Sequence, residues 1–133
     1  RGAELTLFLE PAEELRLFAG LTLTDASPAD RPNAPGYTAI FGSHWQFAPG
    51  WRLHADVQFV DDQFSQSVRF TEPPEPIDNY AHANLKISRA YDFGATHGRI
   101  YLAVRNLFDE SFTYQPGYPA PGINWMLGFD AKF

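Results

Sequence analysis

Hydrophobic and polar residues take turns along most of this chain. In residues 3–10, AELTLFLE, one set of alternate positions holds Ala3, Leu5, Leu7 and Leu9, while the other holds Glu4, Thr6, Phe8 and Glu10. A period of two belongs to an extended strand, whose successive side chains point to opposite sides. Residues 15–24 repeat the scheme with Leu15, Leu17, Ala19, Leu21 and Leu23 against Arg16, Phe18, Gly20, Thr22 and Thr24. In residues 37–47 the apolar side is Tyr37, Ala39, Phe41, Trp45 and Phe47, and in residues 51–61 it is Trp51, Leu53, Ala55, Val57 and Phe59. Residues 80–90, 98–107 and 123–133 continue the pattern, so the sequence predicts seven strands. Read as helices, the same stretches would carry polar groups on every side.

The joins between these segments alternate in length. PAEE, APG and the modest YDFGATH are short, whereas DASPADRPNAPG, DQFSQSVRFTEPPEPIDN and FDESFTYQPGYPAPG are long. Up-and-down antiparallel strands give that rhythm when one end of the sheet carries the working loops. Outer-membrane barrels do so, with short periplasmic turns and longer extracellular loops. Alternation alone also fits a soluble β-sandwich whose apolar face is its core. The aromatics favour the barrel: Trp45, Phe47, Trp51 and Phe133 fall toward the short-turn ends, and Tyr37 and Trp125 toward the long-loop ends. Trp and Tyr concentrate at both membrane boundaries, where the ring meets hydrocarbon and its polar atom meets water.

Composition narrows the classes further. Aromatic residues make up 16% of the chain, and 11 Pro and 10 Gly suit many short segments joined by turns. A net charge of -6 argues against a general nucleic-acid binder, which needs a surplus of Lys and Arg. With no Cys, disulfides and thiolate metal sites are excluded. Arg1 in place of an initiator Met suggests a processed or excised piece. No apolar run reaches the roughly 18 residues of a spanning helix, so membrane insertion would have to use strands.

The stretch from Arg105 to Phe133 contains Asn106-Leu107-Phe108-Asp109, then Tyr114, Tyr118-Pro119, Pro121-Gly122, Gly128 and a terminal Phe133. In these residues the chain resembles the C-terminal part of a TonB-dependent outer-membrane receptor, and RGAEL and PGWRLHADVQFVDD are similar to that family too. Ile123 stands where the family commonly has Arg, and Phe112 where Tyr is common. The first departure puts in doubt a lumenal salt bridge that an Arg would make. The resemblance implies an all-β, antiparallel, up-and-down transmembrane barrel segment, with residues 1–133 as about seven strands of a barrel of about 22. It also implies a plug domain and N-terminal strands elsewhere, uptake of a ferric siderophore, haem, cobalamin or similar scarce ligand, and energy supplied through TonB contacting the missing N-terminal region. The expected partners are outer-membrane lipid, the plug and remaining strands, and the barrel-assembly machinery. The signal read by that machinery would lie in the closing strand, in Trp125, Leu127, Phe129 and Phe133. Such a strand must also pair to close the barrel, because an edge in lipid leaves backbone groups unsatisfied.

Candidate chemistry is sparse. A fold about Pro49 pairs Phe47 with Trp51, Trp45 with Leu53 and His44 with His54, placing both imidazoles on the polar side near Asp56 and Gln46. Two His and a third ligand could hold a metal, but polar residues lining a wet lumen account for them, and no metal or other cofactor is expected. Arg52, Lys86, Arg99 and Arg105 share that side with Glu4, Glu10, Asp56 and Asp130, a mixture suited to a plug interface. In the loops, Arg69, Phe70, Tyr114 and Tyr118 are candidate ligand contacts, with Trp125 near the last two. No nucleophile elbow, zinc-protease motif or phosphate loop occurs, and Gly42-Ser43-His44 lies inside a strand, so no catalytic residue is expected.

Overall fold

The computed structural model describes residues 1–67 and 72–133; the loop candidates Arg69 and Phe70 lie outside the described residues. The chain forms β1 (Gly2–Ala12), β2 (Leu15–Thr24), β3 (Tyr37–Ala48), β4 (Trp51–Asp61), β5 (Gln63–Ser65) and β6 (Glu75–Ile77). There follow β7 (Tyr80–Phe93), β8 (Thr96–Arg105), β9 (Thr113–Gln115), β10 (Tyr118–Pro119) and β11 (Asn124–Lys132). The seven long strands make one sheet in the order β1-β2-β3-β4-β7-β8-β11, every neighbouring pair antiparallel. The two short pairs, β5 with β6 and β9 with β10, are hairpins inside the second and third long loops. The sheet is open: β1 and β11 are its two edges.

Register carries the alternation of each strand across the whole sheet. Leu9 faces Leu17, Leu17 faces Ser43, Ser43 faces Ala55, Ala55 faces Leu85, Leu85 faces Val104 and Val104 faces Trp125. A slip of one residue at any join would have thrown a strand's apolar set onto the other side. The polar row runs in parallel, from Arg16 through His44, His54, Lys86 and Ala103 to Met126.

The short joins are tighter than the sequence suggests. β7 runs on to Phe93 and β8 starts at Thr96, so YDFGATH is mostly strand and only Gly94 and Ala95 turn. Gly94 has φ of 63°, the left-handed first position of a two-residue hairpin turn. In the β3–β4 hairpin His44 does face His54 and Trp45 faces Leu53, but a bulge between Trp45 and Ala48 brings Ala48, not Phe47, opposite Trp51. Phe47 keeps a ring contact to Trp51 at 6.0 Å. A like bulge between Leu9 and Ala12 accommodates Pro11, which has no N–H for a regular ladder. Phe133 falls just beyond the closing strand.

Among the described residues, full burial is confined to the long-loop half. The buried hydrophobic residues are Ala39, Val60, Ile77, Tyr80, Ala83, Val104 and Phe112, and Val60, Tyr80 and Phe112 pack together with Ala120. On the apolar face, Leu7 is 52% exposed, Phe41 53%, Leu127 76% and Phe129 77%, so no second layer of described residues covers it.

Candidate functional site

The polar face gathers its side chains into a connected line that ends at the third long loop. His44 and His54 face each other on β3 and β4, with Nδ1 of one 3.1 Å from Nδ1 of the other. The Nε2 of His54 lies 3.3 Å from Asp56 Oδ1. A neutral His54 that donates from Nε2 to the carboxylate has its Nδ1 free to accept, which makes His44 the Nδ1–H donor. Asp56 Oδ2 accepts a hydrogen bond of 2.8 Å from Asn84 Nδ2, and Asn84 Oδ1 accepts one of 3.3 Å from the backbone N–H of Asn106. The imidazoles stack at 4.3 Å, and the Phe18 ring covers them at 5.7 and 6.3 Å. Phe18 can lie flat there because its neighbour across the strands is Gly42, where a Cβ would collide with the ring. Tyr101 lies across Gly128 in the same way.

At the far end of the line Asn106 holds the loop in shape. Its side-chain Nδ2 donates to the carbonyls of Glu110 at 2.8 Å and Pro121 at 3.2 Å, and its Oδ1 accepts from the Glu110 N–H at 2.9 Å. Asp109 Oδ1 accepts from the backbone N–H of Ile123 at 2.8 Å. Asn106 and Asp109 both have positive φ, 50° and 55°, a conformation that Asn and Asp tolerate better than most residues. The Asn-Leu-Phe-Asp stretch is therefore a loop clamp. The clamped loop lays Phe112 on Tyr80 at 4.3 Å and on His82 at 5.5 Å, with Tyr114 edge-on to both Tyr80 and Phe112. The stack also holds His82, whose Nδ1 is buried without a hydrogen-bond partner among the described residues.

The remaining candidates are spread apart. Arg16 pairs with Glu10 at 2.9 Å and Arg99 with Asp130 at 3.1 Å, exposed pairs that contribute at most about 1 kcal/mol each. Lys86 places its Nζ 4.1 Å over the Tyr101 ring. Arg16, Arg52, Lys86, Ser88, Arg99 and Asp130 line an open trough of about 730 Å³ on the polar face. Arg105 faces Asn124 at the long-loop end. Tyr114 joins the aromatic stack, Tyr118 is 69% exposed on β10, and Trp125 stands on the apolar face opposite Val104, so the structure does not bring these three together. Among the described residues, no group of three or more His, Cys, Asp or Glu could hold a metal ion, and the second nitrogen of His54 is already directed at Asp56.

Sequence reading missed Asn84 and Phe18, whose roles depend on cross-strand neighbours, and the clamping function of Asn106. It also passed over Arg89, although the parity of β7 was enough to place it on the apolar side. No family model matches the chain.

Proposed function

We propose that this chain is the C-terminal barrel segment of a TonB-dependent outer-membrane receptor that imports a scarce ligand such as a ferric siderophore, haem or cobalamin. One observation carries the reading: the alternate apolar residues of seven strands form a single continuous face that stays open to its surroundings. Burying apolar area is worth about 25 cal/mol per Å², so a face of this size needs a cover. In a β-sandwich the cover would be a second sheet of the same chain; here the seven long strands share one sheet, which supports a wall facing hydrocarbon.

In this reading the three long loops are extracellular and the short turns periplasmic. The polar face, with Arg52, Lys86, Arg105, His44, His54 and Asp56, lines a lumen filled by the plug. The open edges β1 and β11 pair with the other barrel strands, which satisfies the backbone groups that lipid cannot. Trp125, Leu127, Phe129 and Phe133 present the strand to the assembly machinery, and the TonB complex acts through a region outside this chain. The segment performs no catalysis.

Membrane fractionation of cells producing the full-length protein tests the proposal. The protein should sediment with the outer membrane, resist an alkaline wash and leave it only in detergent. A folded monomer in detergent-free buffer would favour a soluble module that recognises carbohydrate or protein through its loops.

A further inference from the structure

Arg89 is the exception on the apolar face. Among the Lys and Arg residues of the seven long strands it alone occupies that face, and the only other charged residue there, Asp61, is the last residue of β4, at the long-loop end. Arg89 faces Trp51 on one side and Ile100 on the other, and its guanidinium carbon lies 5.2 Å above the Trp51 ring. Trp51 opens β4 directly after the Pro49–Gly50 turn, and the N–H of Ala90 donates to the Gly50 carbonyl at 2.8 Å. Arg89 is thus level with the short-turn boundary of the neighbouring hairpin, with the rings of Tyr91 and Phe93 beyond it on the same face, 5.7 Å apart.

The cation has no ion-pair partner among the described residues. The Tyr91 hydroxyl on the same face is committed, since Tyr91 lies over Gly98 and donates to the Asp130 carbonyl at 2.9 Å. The Trp51 ring attracts the charge but accepts none of the five guanidinium N–H donors. Planar forks of this kind bind phosphate oxygens in pairs. The cleft around it is mostly apolar, with Trp51, Ile100 and Leu127 among its lining, and its one carboxylate, Asp92, lies 3.5 Å from His97 Nδ1.

We propose that Arg89, seated on Trp51, binds the phosphate of an anionic phospholipid in the leaflet at the short-turn end. An anionic headgroup is favoured over a zwitterionic one because it carries no ammonium of its own to compete for the phosphate. The inference rests on the membrane-wall reading above and goes one step further, to a lipid class and a place.

The test uses the full-length protein with a benzophenone amino acid at position 100, reconstituted in vesicles of equal phosphatidylglycerol and phosphatidylcholine and photolysed. Adducts are identified by mass. Lipid adducts are expected, with phosphatidylglycerol about fivefold over phosphatidylcholine, the preference that one interfacial cation provides. In R89Q the ratio falls to near one; R89K, which keeps the charge, retains part of it; R52Q, on the polar face, leaves it unchanged. Lipid adducts with an equal ratio in the parent protein would overturn the headgroup site while sparing the wall reading. Adducts to protein alone, or to no lipid, would overturn both.

Discussion

The two ends of the sheet are built differently. At the long-loop end, Val60, Tyr80, Phe112 and Ala120 make a small dry cluster, Asn106 and Asp109 tie the third loop down, and Asn33 donates to the Phe64 carbonyl at 2.8 Å to join the first loop to the second. Toward the short turns none of the described residues is fully buried, and the strands are held by backbone ladders, exposed ion pairs and ring contacts such as Phe18 on His44 and Phe47 on Trp51. One end supplies its own cover and the other depends on surroundings. A stretch of chain that is self-sufficient only where its loops fold back is consistent with the wall proposed above, whose apolar face would be covered by lipid.

Substitutions can sharpen that contrast. The largest loss should come from the self-packed end: Phe112→Ala removes the ring stacked on Tyr80 and His82 and should cost about 3–5 kcal/mol, read as a shift of the denaturation midpoint. Phe108→Ala, at a ring that is 71% exposed, should stay within about 0.5 kcal/mol. Next is the apolar face. Leu127→Arg, near the middle of β11, should cost about 2–4 kcal/mol in a bilayer, and a value near zero would mean that this face meets water. Asn106→Ala strips three bonds from the clamp and should cost about 1–3 kcal/mol, with faster proteolysis of the third loop as its signature. Apart from the Phe108 control, the smallest effect belongs to His44→Ala, which loses one hydrogen bond worth about 1 kcal/mol. Its zinc titration should match that of the parent, and loss of a stoichiometric site would show that the imidazole pair holds a metal.

Much of the sheet was readable from parity. Alternation located every long strand, and the short-long rhythm of the joins gave the antiparallel order, because both follow from local geometry. The Phe47–Trp51 pairing failed because a bulge absorbs one residue before the Pro49–Gly50 turn, and alternation does not register an inserted residue. Asn106, Asp109 and Phe112 stood in the sequence as a motif without a mechanism. Their work consists of contacts to Pro121, Ile123 and Tyr80, up to 32 positions away in the case of Phe112, which no local pattern encodes. Arg89 was visible by parity, but its meaning required Trp51 beside it.

The claim beneath all of this is that the apolar face meets hydrocarbon. Single cysteines at positions 125 to 129, spin-labelled in the full-length protein in lipid vesicles, test it directly by comparing relaxation from dissolved oxygen with that from a water-soluble nickel chelate. Oxygen should dominate at 125, 127 and 129 and weaken sharply at 126 and 128. Equal access for the nickel chelate at all five positions, or the opposite parity, would contradict the account.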